Sequence, residues 1–365
     1  MRTKIVLLLI LLFPTLLFAQ KETETDTVIA NKIGWMAYPY AFYTPETQLA
    51  FGAGALVHFK TTTKEPVRPS KILLSGYYTT NNQYYIKLAP VIYFPGMDRD
   101  ILDVKLIYGK EIGKFYGIGQ STPEFKNPEY TMGTWRAYIE YSGYNIISES
   151  LHTGLIYEYS PNDVLDKQQN KFLINDVYTG SSGGKVAGLG VLMIFDERDN
   201  IFFPTKNHMY KIRAQFFGSY FGGDFEYHRL VIDMRQYFTT KTAHTFALQA
   251  YAEYTAGDPP FFRFPALGGA ERMRGYFNGR FRDKIYLTAQ AEYRKIVWWR
   301  LGIAAFVGMG DVAGEMNGFN TRTLKFSYGA GLRFVFDEEA KINVRCDFGF
   351  GKGTSGVYFA LEEAF

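Results

Sequence analysis

The stretch Phe264–Arg294, FPALGGAERMRGYFNGRFRDKIYLTAQAEYR, decides how this chain is read. Its first half is a loop rich in Gly and Arg. From Ile285 onward it alternates: Ile285, Leu287, Ala289, Ala291 and Tyr293 share one parity, and Tyr286, Thr288, Gln290, Glu292 and Arg294 share the other. Successive strand side chains point to opposite faces, so this segment has an apolar side and a charged side. A wall between lipid and water needs that division.

Working outward, the same pattern recurs near the end of the chain. Ile342, Val344, Cys346, Phe348 and Phe350 oppose Lys341, Asn343, Arg345, Asp347 and Gly349, and Phe326, Tyr328, Ala330 and Leu332 oppose Lys325, Ser327, Gly329, Gly331 and Arg333. A soluble sandwich would alternate too, so composition must separate the two cases. The 365 residues include 28 Tyr and 32 Phe but only 21% charged residues, and mean hydropathy is −0.14. Transmembrane barrels carry an apolar band on every second residue and ring it with aromatics, which raises Tyr and Phe without raising mean hydropathy.

Sixteen strand-length runs fit between residues 35 and 365, among them 148–160, 284–295, 298–309, 323–336, 340–350 and 355–365. With an even strand number both ends of the sheet lie on one side, and the long connections 113–129, 161–185, 255–282 and 310–322 then all fall on the other. Ahead of the runs, Arg2 and Lys4 precede an apolar stretch from Ile5 to Phe18, broken by Pro14, which reads as a secretory signal peptide. Beyond it no run of about 18 apolar residues could span as a helix. The expected organisation is a signal peptide over 1–19, a short periplasmic lead over 20–34, and one all-β, 16-stranded antiparallel transmembrane β-barrel over 35–365. The expected location is the bacterial outer membrane.

Several functional classes are excluded on composition. The net charge of +4 comes without a basic tract, which argues against nucleic acid. The single cysteine, Cys346, permits no internal disulfide and lies on an apolar parity. No metal-ligand spacing or phosphate loop is present, so no cofactor or metal is expected. His58, His152, His208, His228 and His244 lack the neighbouring serine motif that a barrel lipase would need, so no catalytic residues are assigned.

Met273, Arg274, Gly275 and Tyr276, a few residues after Gly268 and Gly269, resemble the conserved-loop signature of the outer-membrane assembly barrels, the BamA/TamA family. The segment VLMIFDERDNIFFPTKN, with Asp196, Arg198, Asp199 and Pro204, resembles the family as well; the family usually has Gly where Asn207 stands. PYAFYTPETQLAFG from Pro39, FYGIG from Phe115, and the GLRF and NVRCDFGFG pieces extend the likeness over nearly the whole chain, leaving only Pro161–Lys185 featureless.

The resemblance implies that the long sixth outer loop folds into the lumen and is pinned there by Arg274 on a wall carboxylate. The acidic position the family would offer, two residues after an aromatic in the thirteenth run, falls on Gly308 after Phe306. Asp311, Glu292 or Asp196 are then the candidate partners, with Arg198, Asp199 and Arg294 as further lumen or turn charges. Phe359, Leu361 and Phe365, in a last strand reaching Phe365, resemble the C-terminal recognition signal of such barrels, interrupted by Glu363.

Three functional readings follow. The first is a barrel that assists insertion or translocation of other outer-membrane proteins, with outer-membrane lipid and unfolded outer-membrane proteins, or an outer-membrane complex, as partners. The second is a stand-alone barrel acting as a pore, surface antigen or partner subunit, because the short lead leaves no room for the soluble POTRA modules that the family usually places before the barrel. The third, a barrel enzyme, lacks its residues.

Overall fold

A computed structural model describes residues 33–44, 48–61, 69–94, 100–143, 150–240, 244–338 and 341–365. The signal peptide and nearly all of the lead lie outside them. Nine strands come first: β1 (Gly34–Thr44), β2 (Gln48–Phe59), β3 (Ser70–Thr79), β4 (Tyr84–Tyr93), β5 (Ile101–Lys114), β6 (Glu129–Gly143), β7 (Leu151–Asp166), β8 (Gly183–Asp196) and β9 (Asn207–Phe217). Nine more follow: β10 (Tyr227–Thr239), β11 (Thr245–Gly257), β12 (Ala266–Leu267), β13 (Phe281–Arg282), β14 (Ile285–Trp298), β15 (Leu301–Ala313), β16 (Lys325–Asp337), β17 (Ile342–Gly351) and β18 (Thr354–Leu361).

The fold is all-β and antiparallel. Sixteen strands join in chain order into one sheet, and β12 and β13 pair separately inside the β11–β14 connection. The described strands therefore number eighteen where sixteen were expected. A two-residue ladder inside a long loop leaves no periodicity for sequence to register.

The polarity of the sheet is the reverse of a water-soluble one. Leu74, Ile86, Leu106, Leu155, Val191, Val307 and Leu332 are exposed on one face, while Glu140, Glu158, Gln215, Asp233, Glu253 and Arg294 are buried on the other. Buried charges and an exposed apolar band are the informative departures from ordinary burial. The apolar face suits hydrocarbon, and no described helix is long and apolar enough to cross a membrane.

Several expected strand ends move by a few residues, among them those of the seventh and last runs. The seventh run continues past residue 160 to Asp166. Pro161 has no N–H to donate; it pairs opposite Lys185, where the β6 ladder is itself interrupted between Thr134↔Asn162 and Ala137↔Tyr159. The last strand stops at Leu361 and does not reach Phe365. Glu362 takes a left-handed φ of 66°, and residues 362–365 turn onto the polar face, where Phe365 packs with Tyr237, Ala247 and Ala364.

The edges of the sheet come together. Cα atoms of β1 and β18 approach within 8 Å, and Leu361 packs onto Met36, Leu56, Phe202 and Ile342, with Lys71 Nζ 2.6 Å from Glu362. Among the described residues no ladder joins β1 to β18.

At the opposite end the long connections interlock. Phe115, Leu173 and Phe261, from three of them, share one buried cluster. Asn170 donates to the carbonyls of Phe115 and Pro128, Gly119 bridges to Arg282, and Lys325 Nζ donates to the Gln120 carbonyl. The connection after β7, featureless in sequence, supplies two fully buried side chains to this cap, Asn170 and Leu173.

Candidate functional site

The β11–β14 connection descends from the cap onto the polar face. Gly275, at φ 110°, lies so close to β17 that a Cβ there would meet Phe350 backbone atoms at 2.5–2.8 Å, and a Cβ on Gly349 would meet the Arg274 carbonyl carbon at 2.6 Å. Two glycines thus let two backbones touch, which no larger residue permits. Gly268 and Gly269 both take φ 111°, and Met273, at φ 50°, is buried with Tyr276, Leu267 and Tyr286. Tyr358 Oη, from β18, accepts the Gly275 N–H at 2.8 Å.

This approach delivers Arg274, 0% exposed, into a cluster of charges. Its Nη2 lies 2.5 Å from Glu292 Oε2 and its Nη1 2.6 Å from Asp347 Oδ2. Its guanidinium also sits 3.6 Å from the Phe306 ring centroid. Each carboxylate has further cations. Arg294 Nε is 2.7 Å from Glu292, Arg345 Nη1 is 2.6 Å from Asp347, and Arg333 reaches Asp347 at 2.5 Å and Glu292 at 3.2 Å.

A third carboxylate enters from the inward-turned tail. Glu363 lies 2.9 Å from Arg333 Nε and 3.4 Å from Arg294 Nε, and accepts from Asn343 at 2.5 Å. Arg294 Nη2 also donates to a main-chain oxygen of Phe365 at 3.0 Å. Four guanidiniums therefore face three carboxylates, all nearly sealed from solvent. Ionised groups can be held in such a place only if they are paired and hydrogen-bonded.

Of the acidic candidates for Arg274, Glu292 is in contact. Asp311 instead pairs with Lys325 at 2.5 Å, and Asp196 with Arg198 at 2.9 Å. The second partner, Asp347, was missed along with Arg333, Arg345 and Glu363. Asp347 and Arg345 lie on the charged parity of their run, but nothing in the loop sequence says which strand its tip will meet.

The turn charges form a separate arrangement at the other end of the sheet. Asp199 accepts from the backbone N–H of Thr205 and of Lys206 and from the Thr205 hydroxyl. Partial burial pushes its pKa up, but these bonds outweigh burial and hold the carboxyl below its ordinary value. Asn207 adopts φ 68°, a conformation it shares with glycine at low cost. Phe359 is exposed on the apolar face, Leu361 packs on the cluster at the sheet edge, and Phe365 is buried on the polar face.

Chemically, each carboxylate of the network is held by two or more guanidiniums. Its guanidiniums and carboxylates include no nucleophile beside a base, and no His, Cys, Asp and Glu group among the described residues could hold a metal ion.

Comparison with known proteins adds an independent line. The Omp85 superfamily domain matches residues 98–350. No curated protein matches the sequence. Among solved structures, BamA from Haemophilus ducreyi lacking POTRA domains 1–3 superposes with a TM-score of 0.58 at 13% identity, over 91% of this chain and 70% of that one. CdiB from Acinetobacter baumannii gives 0.57 at 12% identity over 90% and 59%, and CdiB from Escherichia coli 0.54 at 10% over 90% and 62%. The chain thus spans about three fifths of either CdiB chain, and at these identities the likeness concerns the fold.

Proposed function

The chain belongs to the Omp85 superfamily, and on that premise we propose that it is a bacterial outer-membrane barrel, closed between β1 and β18, that assists insertion or translocation of other outer-membrane proteins through that seam. The observation that carries this reading is the seam itself. Strand edges that adjoin without a ladder retain unpaired N–H and C=O groups, which are templates for an incoming strand. Here β1 and β18 approach within 8 Å without pairing among the described residues. Side-chain contacts near Leu361 and the Lys71–Glu362 pair hold one end, a closure that parts more readily than a continuous ladder. The apolar outer face and the interlocked cap support the membrane setting and argue against a wide, open diffusion pore.

The test is depletion of the protein followed by a quantitative census of outer-membrane proteins, with fractionation of the protein itself. Broad loss of other barrels is expected, with the protein in the outer-membrane fraction. An unchanged census would favour a stand-alone barrel, and recovery as a soluble periplasmic protein would end the membrane reading.

A further inference from the structure

We propose that Glu363 couples the docking of the β11–β14 loop to the closing of the seam, making the buried charge network a latch between the two. The inference rests on the reading of the β1–β18 edge as the part that opens. Its basis is the topology of the ion pairs. Arg274 reaches Glu363 through three short routes: by Glu292 and Arg294, by Glu292 and Arg333, and by Asp347 and Arg333. Glu363 in turn follows Leu361 and Glu362, which hold the end of β18 against β1–β3.

Charge balance gives the sign of the coupling. Counting side chains, the network with tail and loop both in place holds four cations and three anions. Withdrawing Glu363 leaves four against two, and the excess repulsion falls on all four guanidiniums. Arg294, Arg333 and Arg345 sit on strands fixed by their ladders, whereas Arg274 sits on a loop. It is the cation that can relax by leaving. Conversely, an undocked Arg274 lowers the positive charge that attracts Glu363, so the tail is held less tightly. A coupling between two docking equilibria acts equally in both directions. Tyr358, which accepts from Gly275 N–H while standing in β18, places a neutral contact along the same line.

Hydrogen–deuterium exchange on the purified full chain in lipid nanodiscs reads both ends at once, because exchange reports the opening of each segment. Glu363→Gln is expected to speed exchange by about tenfold or more in 354–361 and also in 266–277. Arg274→Gln is expected to do the same in 354–361, and remains informative if the first variant does not fold. Lys71→Gln, which weakens the seam through a pair outside the network, should speed 354–361 and, through the coupling, 266–277 as well. An Arg274→Gln loop that exchanges freely while 354–361 keeps its wild-type rate would overturn the latch. Coupling with no census change on depletion would instead remove the insertion reading and leave the latch in place.

Discussion

Replacing Arg274 by Ala should destabilise the protein by about 3 kcal/mol, near the lower end of what removing one partner from a buried ion pair costs. The structure gives the reasoning for that figure. Two charge-assisted bonds are lost, to Glu292 at 2.5 Å and Asp347 at 2.6 Å, together with the contact on Phe306 at 3.6 Å. The abandoned carboxylates are not left bare, however. Glu292 keeps Arg294 and Arg333, and Asp347 keeps Arg333 and Arg345, so the penalty for stranded buried charge is reduced. Arg322 serves as the control. It is exposed, and surface substitutions away from special features stay within about 0.5 kcal/mol. The assay is thermal unfolding of the folded, fast-migrating form in detergent, paired with limited proteolysis of the 258–284 segment. Arg274→Ala should lower the transition and open the loop to protease. Equal, negligible shifts for Arg274→Ala and Arg322→Ala would refute the idea that the network holds the loop.

Gly349→Ala should release the loop without removing any charge, because its Cβ would meet the Arg274 and Gly275 backbone at 2.6–2.7 Å; protease sensitivity over 266–277 should rise while the strands stay resistant. Asn207→Ala should cost about 1 kcal/mol through its left-handed φ of 68°, measured as a shift in unfolding midpoint, with Asn207→Gly costing less. Cys346 pairs beside Leu332 and Phe359 on the apolar face, so in nanodiscs it should react with a lipid-soluble maleimide and resist a charged one. Equal labelling by both reagents would place that face in water.

Much of the main sheet could be read from sequence because alternation is a local property: the parity at Ile285–Arg294 already separates the side bearing Glu292 and Arg294 from the side bearing Leu287 and Ala291. The loop was legible as far as its chemistry, since Gly275 beside Arg274 announces a close backbone approach. Its landing place was not. Whether Arg274 meets Gly308 on β15 or Asp347 on β17 depends on where a long connection comes to rest, which no local pattern encodes. The tail shows the same limit in another form. Val357, Phe359, Leu361 and Phe365 share one parity, and Glu363 reads as a flaw in it. In the fold that carboxylate goes to Arg333 and Arg294, and turning it inward takes Phe365 along. The β7–β8 connection was opaque because the burial of Asn170 and Leu173 is created by other loops meeting over them.

A cluster of this kind needs a reason other than stability, because well-packed apolar residues of similar volume hold a protein interior together as well as buried ion pairs do, or better. What the ion pairs add is a requirement for one arrangement. Arg294, Arg333, Arg345, Glu292 and Asp347 reach one another only when β14, β16 and β17 hold their present register, since a slip of one residue would turn a strand's charges toward the apolar face. Arg274 and Glu363 are subject to the same requirement without a ladder to enforce it. They are therefore the two members held in place by side-chain and loop contacts without a strand ladder. An apolar core would tolerate the loop or the tail drifting by a residue, whereas losing one of the three carboxylates that face four buried guanidiniums leaves buried charge uncompensated. The two charges that no ladder holds thus sit at the loop tip and beside the edge of the sheet, and the charges that ladders hold lie between them on β14, β16 and β17.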